Sequence, residues 1–307
     1  MAHRLGPQSQ ARVEVGAGLA DWLRILKPNI MQLVVFTSAV GLYLAPASPG
    51  PLLALLALAC IAVGAGASGA LNNAWDADID VRMARTRLRP TALGRIAPAE
   101  AAALGLVLAL LSVMVMGLAL NWLAGLLLAF TIFFYVVVYT IWLKRRTPQN
   151  IVIGGLAGAL PPLVGWSAAT GSIDALPVVL VAIIFFWTPA HFWALALYCD
   201  RDYARAGIPM LPVAAGRRAT LQQILLYAVL TAAASLVPLA LGEVGWIYAL
   251  AAGALGAVFV GQSIALLRAF GERRAMRLFR FSILYLFLLF LALVIDHALP
   301  IPLALGA

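Results

Sequence analysis

Asn72, Asp76 and Asp80 recur at four-residue intervals inside the stretch LNNAWDADIDVRMARTRLRPTALGR, Leu71–Arg95. On a helix each four-residue step advances about 400°, so these oxygen-bearing side chains fall along one slowly drifting stripe. Bare carboxylates directly after an apolar run are costly. A hard divalent cation removes that conflict, and magnesium in particular takes one or two carboxylates and completes its shell with water and phosphate oxygens. Asp78 lies about 200° from Asp76 and is expected to point away, toward the basic loop. Arg82, Arg85, Arg87 and Arg89 follow, with Lys144 and Arg145 on a neighbouring loop. Guanidinium forks match phosphate oxygens in pairs.

A second constellation lies in HFWALALYCDRDY, where His191, Leu195, Tyr198 and Asp202 stand at i, i+4, i+7 and i+11. If the helix persists that far, an imidazole, a phenol and a carboxylate share one face. Lys27 precedes Pro28 at the head of an apolar run, as a snorkelling anchor or a partner for an anionic ligand. Carboxylates, a cation and arginines at the mouth of an apolar helical cavity suit a lipid diphosphate. Were its carbon–oxygen bond to ionise, aromatic faces such as Tyr139, Phe186 or Phe192 would stabilise the carbocation. The residues alone leave two readings open: metal-dependent diphosphate chemistry and ion-coupled transport, with the arginines explicable as topology signals.

The elements that must position these groups are membrane helices. The 307 residues are 64% hydrophobic and 11% charged, far below the roughly one-quarter charge of soluble domains. Runs of roughly 20 apolar residues predict nine spans near 29–45, 52–74, 99–119, 122–143, 151–170, 176–198, 220–240, 245–267 and 279–298. With that division all 21 Lys and Arg fall in the N-terminal segment and the loops at 75–98, 144–150, 199–219 and 268–280. The opposite loops, such as APASPGP and GSID, have none. The net charge of +9 therefore marks orientation and not nucleic-acid binding. The N-terminus is expected to be cytoplasmic and the C-terminus outside, in a bacterial inner membrane, with a mitochondrial inner membrane as the alternative.

The expected fold is an all-α polytopic membrane protein, about nine transmembrane helices around a central apolar cavity. It forms a single domain over 1–307, with a polar cytoplasmic segment at 1–23 and the helical body at 24–300. The first 20 residues lack the apolar core of a signal peptide. Pro161-Pro162 predicts a kinked fifth span, and Phe133, Phe134, Tyr135, Tyr139 and Trp142 read as an interfacial belt. Cys60 and Cys199 give no metal spacing and no disulfide. Spans seven to nine look like scaffold, apart from Gln262, Asp296 and His297.

Asn72-x3-Asp76-x3-Asp80 resembles the first aspartate-rich motif of the intramembrane aromatic prenyltransferase (UbiA-type) superfamily. Three longer strings are similar to its haem-farnesylating branch: NNAWDADIDVRMARTRLRP at 72–90, YTIWLKRRTPQNIVIGGLAGALPPLVGW at 139–166 and HFWALALYCDRDYARAGIPMLPV at 191–213. The resemblance covers about residues 24–300. It implies nine helices in a ring and transfer of a farnesyl group from farnesyl diphosphate to a vinyl group of haem B, giving haem O for terminal oxidases. A haem A synthase or oxidase assembly partner would follow, in a membrane-lipid setting. On that reading Asn72, Asp76 and Asp80 hold magnesium and the diphosphate, and Asp202 belongs to the second motif. Arg85, Arg89 and Lys144 face phosphate or haem propionates, with Lys27 and Tyr198 as further substrate contacts. His191 lies near the porphyrin, as axial ligand or acid–base partner. Ala206 and Ala204 stand where a second aspartate of that motif would be, which leaves one carboxylate for any second cation. Carried over the same motif, a quinone or phenolic acceptor and a non-catalytic haem or lipid carrier are the competing readings.

Overall fold

The structure, a computed structural model of the chain, describes residues 16–299. Much of the polar 1–23 segment lies outside the described residues, as does the C-terminal end. Prolines open several helices at the position where a missing N–H costs nothing. The short α1 (Leu19–Ile25) leads to α2 (Pro28–Tyr43), then α3 (Pro51–Trp75) and the single turn α4 (Ala77–Asp80). After a looped segment come α5 (Pro98–Ala119) and α6 (Trp122–Phe133), which continues as a π-helix over Phe134–Leu143. Next are α7 (Asn150–Ala159), α8 (Pro161–Thr170), α9 (Ala175–Tyr198) and the short α10 (Asp200–Arg205) and α11 (Leu211–Ala214). The chain ends in α12 (Gly216–Ala234), the turn α13 (Val237–Ala240), α14 (Trp246–Arg268) and α15 (Glu272–Ala298).

Among the described residues, eight helical segments are long and apolar enough to cross a membrane, and the apolar part of α2, Met31–Tyr43, is shorter. The expected nine are thus eight plus a short first helix. The fifth span breaks at Leu160, as the proline pair demands, so that Asn150–Thr170 is two consecutive helices. Leucines such as Leu52, Leu106, Leu118 and Leu250 stay exposed along the outer faces, which is the surface a lipid solvent calls for.

Polar groups secure the far end of the bundle. Asn121 caps α6 by accepting from the Ala124 N–H at 2.9 Å, while its Nδ2 donates to the Ser167 carbonyl at 2.8 Å. Asp296, near the end of α15, accepts from the N–H groups of Gly245, Ile247 and Tyr248 at 2.5, 3.1 and 3.2 Å. A carboxylate on those donors suits the positive end of α14, so Asp296 is a structural clamp.

The inner pair α2 and α8 crosses closely because of two glycines. A Cβ on Gly41 would overlap the carbonyl oxygen of Pro162, and one on Gly165 would overlap that of Ser38. Neither backbone can yield without parting the helices. Gly165→Val is therefore expected to lower thermal stability by about 1–3 kcal/mol or more. Gly158→Ala, where a Cβ meets nothing within 4 Å, should be neutral or better, and thermal unfolding in detergent compares the two.

Candidate active site

The aspartate-rich stripe is not one continuous helix. Here α3 stops at Trp75, and Asp76 takes a non-helical backbone (φ −90°, ψ 3°) before α4 restarts. Asp76 N–H still donates to the Asn72 carbonyl at 2.9 Å, and Asp80 N–H to the Asp76 carbonyl at 2.8 Å. The four-residue spacing therefore survives the break, and Asn72, Asp76 and Asp80 are all buried. Asn72 and Asp80 line a cavity of about 80 Å³ together with Lys27, Arg85, Arg89 and Lys144.

Lys27 reaches it from the turn between α1 and α2, in the left-handed backbone region at φ +57°. Such a conformation costs a non-glycine residue about 1–3 kcal/mol, and it aims the amino group at the Asn72 side-chain oxygen, to which Lys27 donates. Lys144 arrives at the end of the π-helix, where five-residue steps bring Tyr135 beside Thr140 and Tyr139 beside Lys144. The Thr140 hydroxyl donates to the Tyr135 carbonyl at 2.9 Å and accepts from Asn72 Nδ2 at 3.0 Å. Gly154 makes room for the ring of Tyr139, since a Cβ there would come within 2.8 Å of its Cγ. Tyr135 and Tyr139 therefore wall the cavity with Phe192 and Tyr203, and they are not belt residues. Trp142, exposed at the basic end of the span, fits that role, whereas Phe133 is exposed at mid-span.

Every carboxylate here already faces a cation. Asp76 accepts from Asn72 Nδ2 at 2.8 Å and from the Lys144 ammonium, while Asp80 accepts from Arg89 at 2.7 Å. Asp78 points outward, as its position on the helical wheel requires, and Arg145 grips it with two bonds of 2.9 and 2.7 Å. Hydrogen bonds from Arg145 hold the Asp78 carboxyl below the usual range. Burial pushes the Lys27 ammonium well down, with Arg89 and Lys144 adding to it. Four cationic side chains line the cavity against one lining carboxylate, Asp80, with Asp76 buried beside it. That surplus is the electrostatic signature of an anion site.

The donor set also fits a hard cation. Asp76 Oδ1 is buried with no hydrogen-bond partner, an arrangement that is costly unless something positive sits against it. The Lys144 ammonium holds the other oxygen of the same carboxylate, and Arg145 lies 3.9 Å from Oδ1. Asn72 Oδ1 and the Asp80 carboxylate are the neighbouring hard oxygens. Among the described residues no three His, Cys, Asp or Glu side chains converge, so the amide of Asn72 has to complete any such set.

The second constellation does not join the first. Helix α9 ends at Tyr198, and Cys199 leaves helical geometry (φ −108°, ψ 20°), which breaks the face expected to carry His191, Tyr198 and Asp202 together. Asp202 lies in α10, ion-paired with Arg205, and it does not line the cavity. Tyr198 is exposed and faces a different groove. Phe186 packs against the main apolar core, and Arg82 and Arg87 are exposed away from the cavity. His191 packs between Trp187 and Phe279, ring centroids 4.2 and 4.6 Å away, and its Nδ1 meets Ser282 Oγ at 2.6 Å. Ser282 Oγ also lies 2.6 Å from the Phe279 carbonyl, so α15 fixes the position of the His191 ring.

Met83, Thr86, Tyr203 and Met210 also line the cavity, and sequence reasoning missed them. They carry no charge and no shared period, and only their place within the longer strings pointed toward them.

Known proteins resemble the chain over most of its length. The model of the UbiA prenyltransferase family matches residues 34–294. The chain is 57% identical over 285 residues to the Protoheme IX farnesyltransferase of Rhizobium etli (strain CIAT 652), covering 92% of this chain and 90% of that protein. It is likewise 57% identical over 283 residues to the protein of that name from Azorhizobium caulinodans, covering 90% of this chain and 91% of the relative. Among solved structures, a digeranylgeranylglyceryl phosphate synthase aligns at TM-score 0.76 and 18% identity, covering 91% of this chain and 98% of its own. A UbiA homolog from Archaeoglobus fulgidus bound to GPP and Mg2+ aligns at TM-score 0.62 and 18% identity, covering 89% and 99%. At those identities the two structures show the shared fold.

Proposed function

Because this chain belongs to the UbiA prenyltransferase family, we propose that it transfers a farnesyl group from farnesyl diphosphate to a vinyl group of haem B, releasing diphosphate and giving haem O. The observation that carries this reading is the small cavity in which Lys27, Lys144 and Arg89 converge on Asn72, Asp76 and Asp80. Support for haem as the acceptor comes from the long, close match to relatives named protoheme IX farnesyltransferase.

Lys27, Lys144 and Arg89 bind the diphosphate oxygens and stabilise the charge that builds as the allylic carbon–oxygen bond breaks. The electron pair of that bond leaves with the diphosphate, and Tyr135, Tyr139 and Phe192 present π faces to the carbocation left behind. The vinyl π electrons form the new carbon–carbon bond, and water adds to the cation so created, losing a proton. Asn72, Asp76 and Asp80 would hold a magnesium ion, which when bound supplies charge neutralisation for the diphosphate. Arg89 fixes the carboxylate of Asp80 and Lys144 that of Asp76, so both acids keep their orientation between turnovers. Asp202, tied to Arg205, stands apart from this set, and one cation is the number the buried oxygens support. The single membrane domain would sit in a bacterial inner membrane with its basic loops cytoplasmic, upstream of a haem A synthase or terminal oxidase.

Purified protein supplied with farnesyl diphosphate, magnesium and either haem B or a phenolic quinone precursor tests the acceptor. Haem O should form with haem B and no prenylated product with the phenol. Prenylation of the phenol alone would make this a quinone-pathway enzyme, and tight haem binding with no product would make it a carrier.

A further inference from the structure

A second and much larger opening lies at the arginine-rich end of the bundle, outside the cavity described above. It is a groove of about 770 Å³ between α15, α14 and the end of α9, within the roughly 300–1,000 Å³ of small-molecule sites. One face of α15 builds most of it: Arg273, Met276, Arg277, Arg280, Phe281 and Leu284 stand at i, i+3, i+4, i+7, i+8 and i+11, a continuous helical stripe. The stripe is polarised along its length, with guanidinium groups at the rim and apolar side chains farther in. Among the described residues none of the three arginines makes an ion pair, and Glu272 is the one carboxylate on the groove wall. Gln262 also lines it, with a side-chain oxygen that is buried and has no partner.

The cavity that holds Asn72 and Asp80 measures about 80 Å³, roughly a tenth of the groove, and three of its four cations, Lys27, Arg89 and Lys144, already hold Asn72, Asp80 and Asp76. The groove has the volume, and its charges complement a planar apolar body that carries two carboxylates on one edge. The two openings share a wall, since α9 and its continuation contribute Phe192 and Tyr203 to the cavity and Tyr198 to the groove. Helix α15 also holds His191 in place through Ser282.

We propose that this groove docks the porphyrin dicarboxylate acceptor, with Arg273, Arg277 and Arg280 binding its carboxylates at the rim and Phe281 and Leu284 contacting the ring. The inference rests on the reading of the protein as a haem farnesyltransferase and adds the place where the acceptor is held.

The test is steady-state kinetics of the full-length protein in nanodiscs, comparing wild type with the triple variant R273Q/R277Q/R280Q. The KM for haem B should rise about tenfold or more, while kcat and the KM for farnesyl diphosphate stay within about twofold. Wild type should discriminate against haem B dimethyl ester, whose carboxylates are masked, by a similar factor, and the triple variant should lose that discrimination. The ester arm needs no variant to fold, so it stands if the triple variant proves unstable. An unchanged KM for haem B, or equal use of acid and ester by wild type, overturns the proposal. A defect seen in anionic-lipid discs but absent from zwitterionic ones assigns the arginines to lipid phosphates and overturns it too. If wild type makes no haem O at all, the functional reading fails first; if it makes haem O with groove variants unaffected, only the docking site is wrong.

Discussion

Asp76→Asn should abolish farnesyl transfer, with a loss of about a thousandfold or more, equivalent to ~4 kcal/mol of transition-state stabilisation. The substitution is nearly isosteric but removes the charge from a fully buried group that Lys144 and Asn72 hold. It also leaves the Lys144 ammonium, itself largely buried, without its counter-ion, at a stability cost of about 3–5 kcal/mol. Lost activity could then be mistaken for lost folding. The double variant Asp76→Asn/Lys144→Met separates the two effects, because it removes both members of the pair. Its thermal midpoint is expected to recover toward wild type while transfer stays abolished. Recovery of both together would make Asp76 a structural ion-pair partner only.

Lys27→Met should move stability and binding in opposite directions. Burial and the nearby Arg89 and Lys144 disfavour the charged form of Lys27, so the free protein bears a cost for keeping this group. Replacing it with an apolar chain of similar length is expected to leave the thermal midpoint equal or higher. A bound diphosphate turns the same charge into an asset, and charge-assisted bonds of about 1.5–3 kcal/mol imply a KM for farnesyl diphosphate raised roughly 10–100-fold. The KM for haem B should not change. Parallel thermal unfolding and kinetics on the one variant check both signs, and a fall in midpoint with unchanged KM would make Lys27 a helix anchor.

Much of this architecture was legible in the residues because hydropathy and charge segregation are one-dimensional signals. Apolar runs located most helices to within a few residues, α15 beginning seven residues before the expected 279 because its first two turns are arginine-rich, and Pro161-Pro162 located the break between α7 and α8. The Asn72, Asp76, Asp80 spacing survived a helix break that periodicity could not foresee, since Asp80 N–H still reaches back to the Asp76 carbonyl. The same assumption failed for His191 and Asp202, where the break at Cys199 turns the following segment away. Nor does spacing show that Lys27 meets Asn72 across 45 residues or that Lys144 meets Asp76 across 68. Those pairings come from the packing of α2, α3 and the π-helix. Aromatic content alone marks the π-helix as an interfacial belt, because it does not say which way a ring points. In sequence, a stripe of arginines running into phenylalanine and leucine reads as an ordinary helix end. Only the neighbouring α14 and α9 make it a groove.

The most direct test of the functional reading is simultaneous measurement of diphosphate release and haem O formation by the purified wild-type protein, with haem B or magnesium omitted in turn. Release and product should rise together in equal amounts, and each omission should stop both. Diphosphate release that continues without haem B, or haem consumption without diphosphate, would contradict the assignment of the Asn72, Asp76 and Asp80 cavity to farnesyl transfer onto haem.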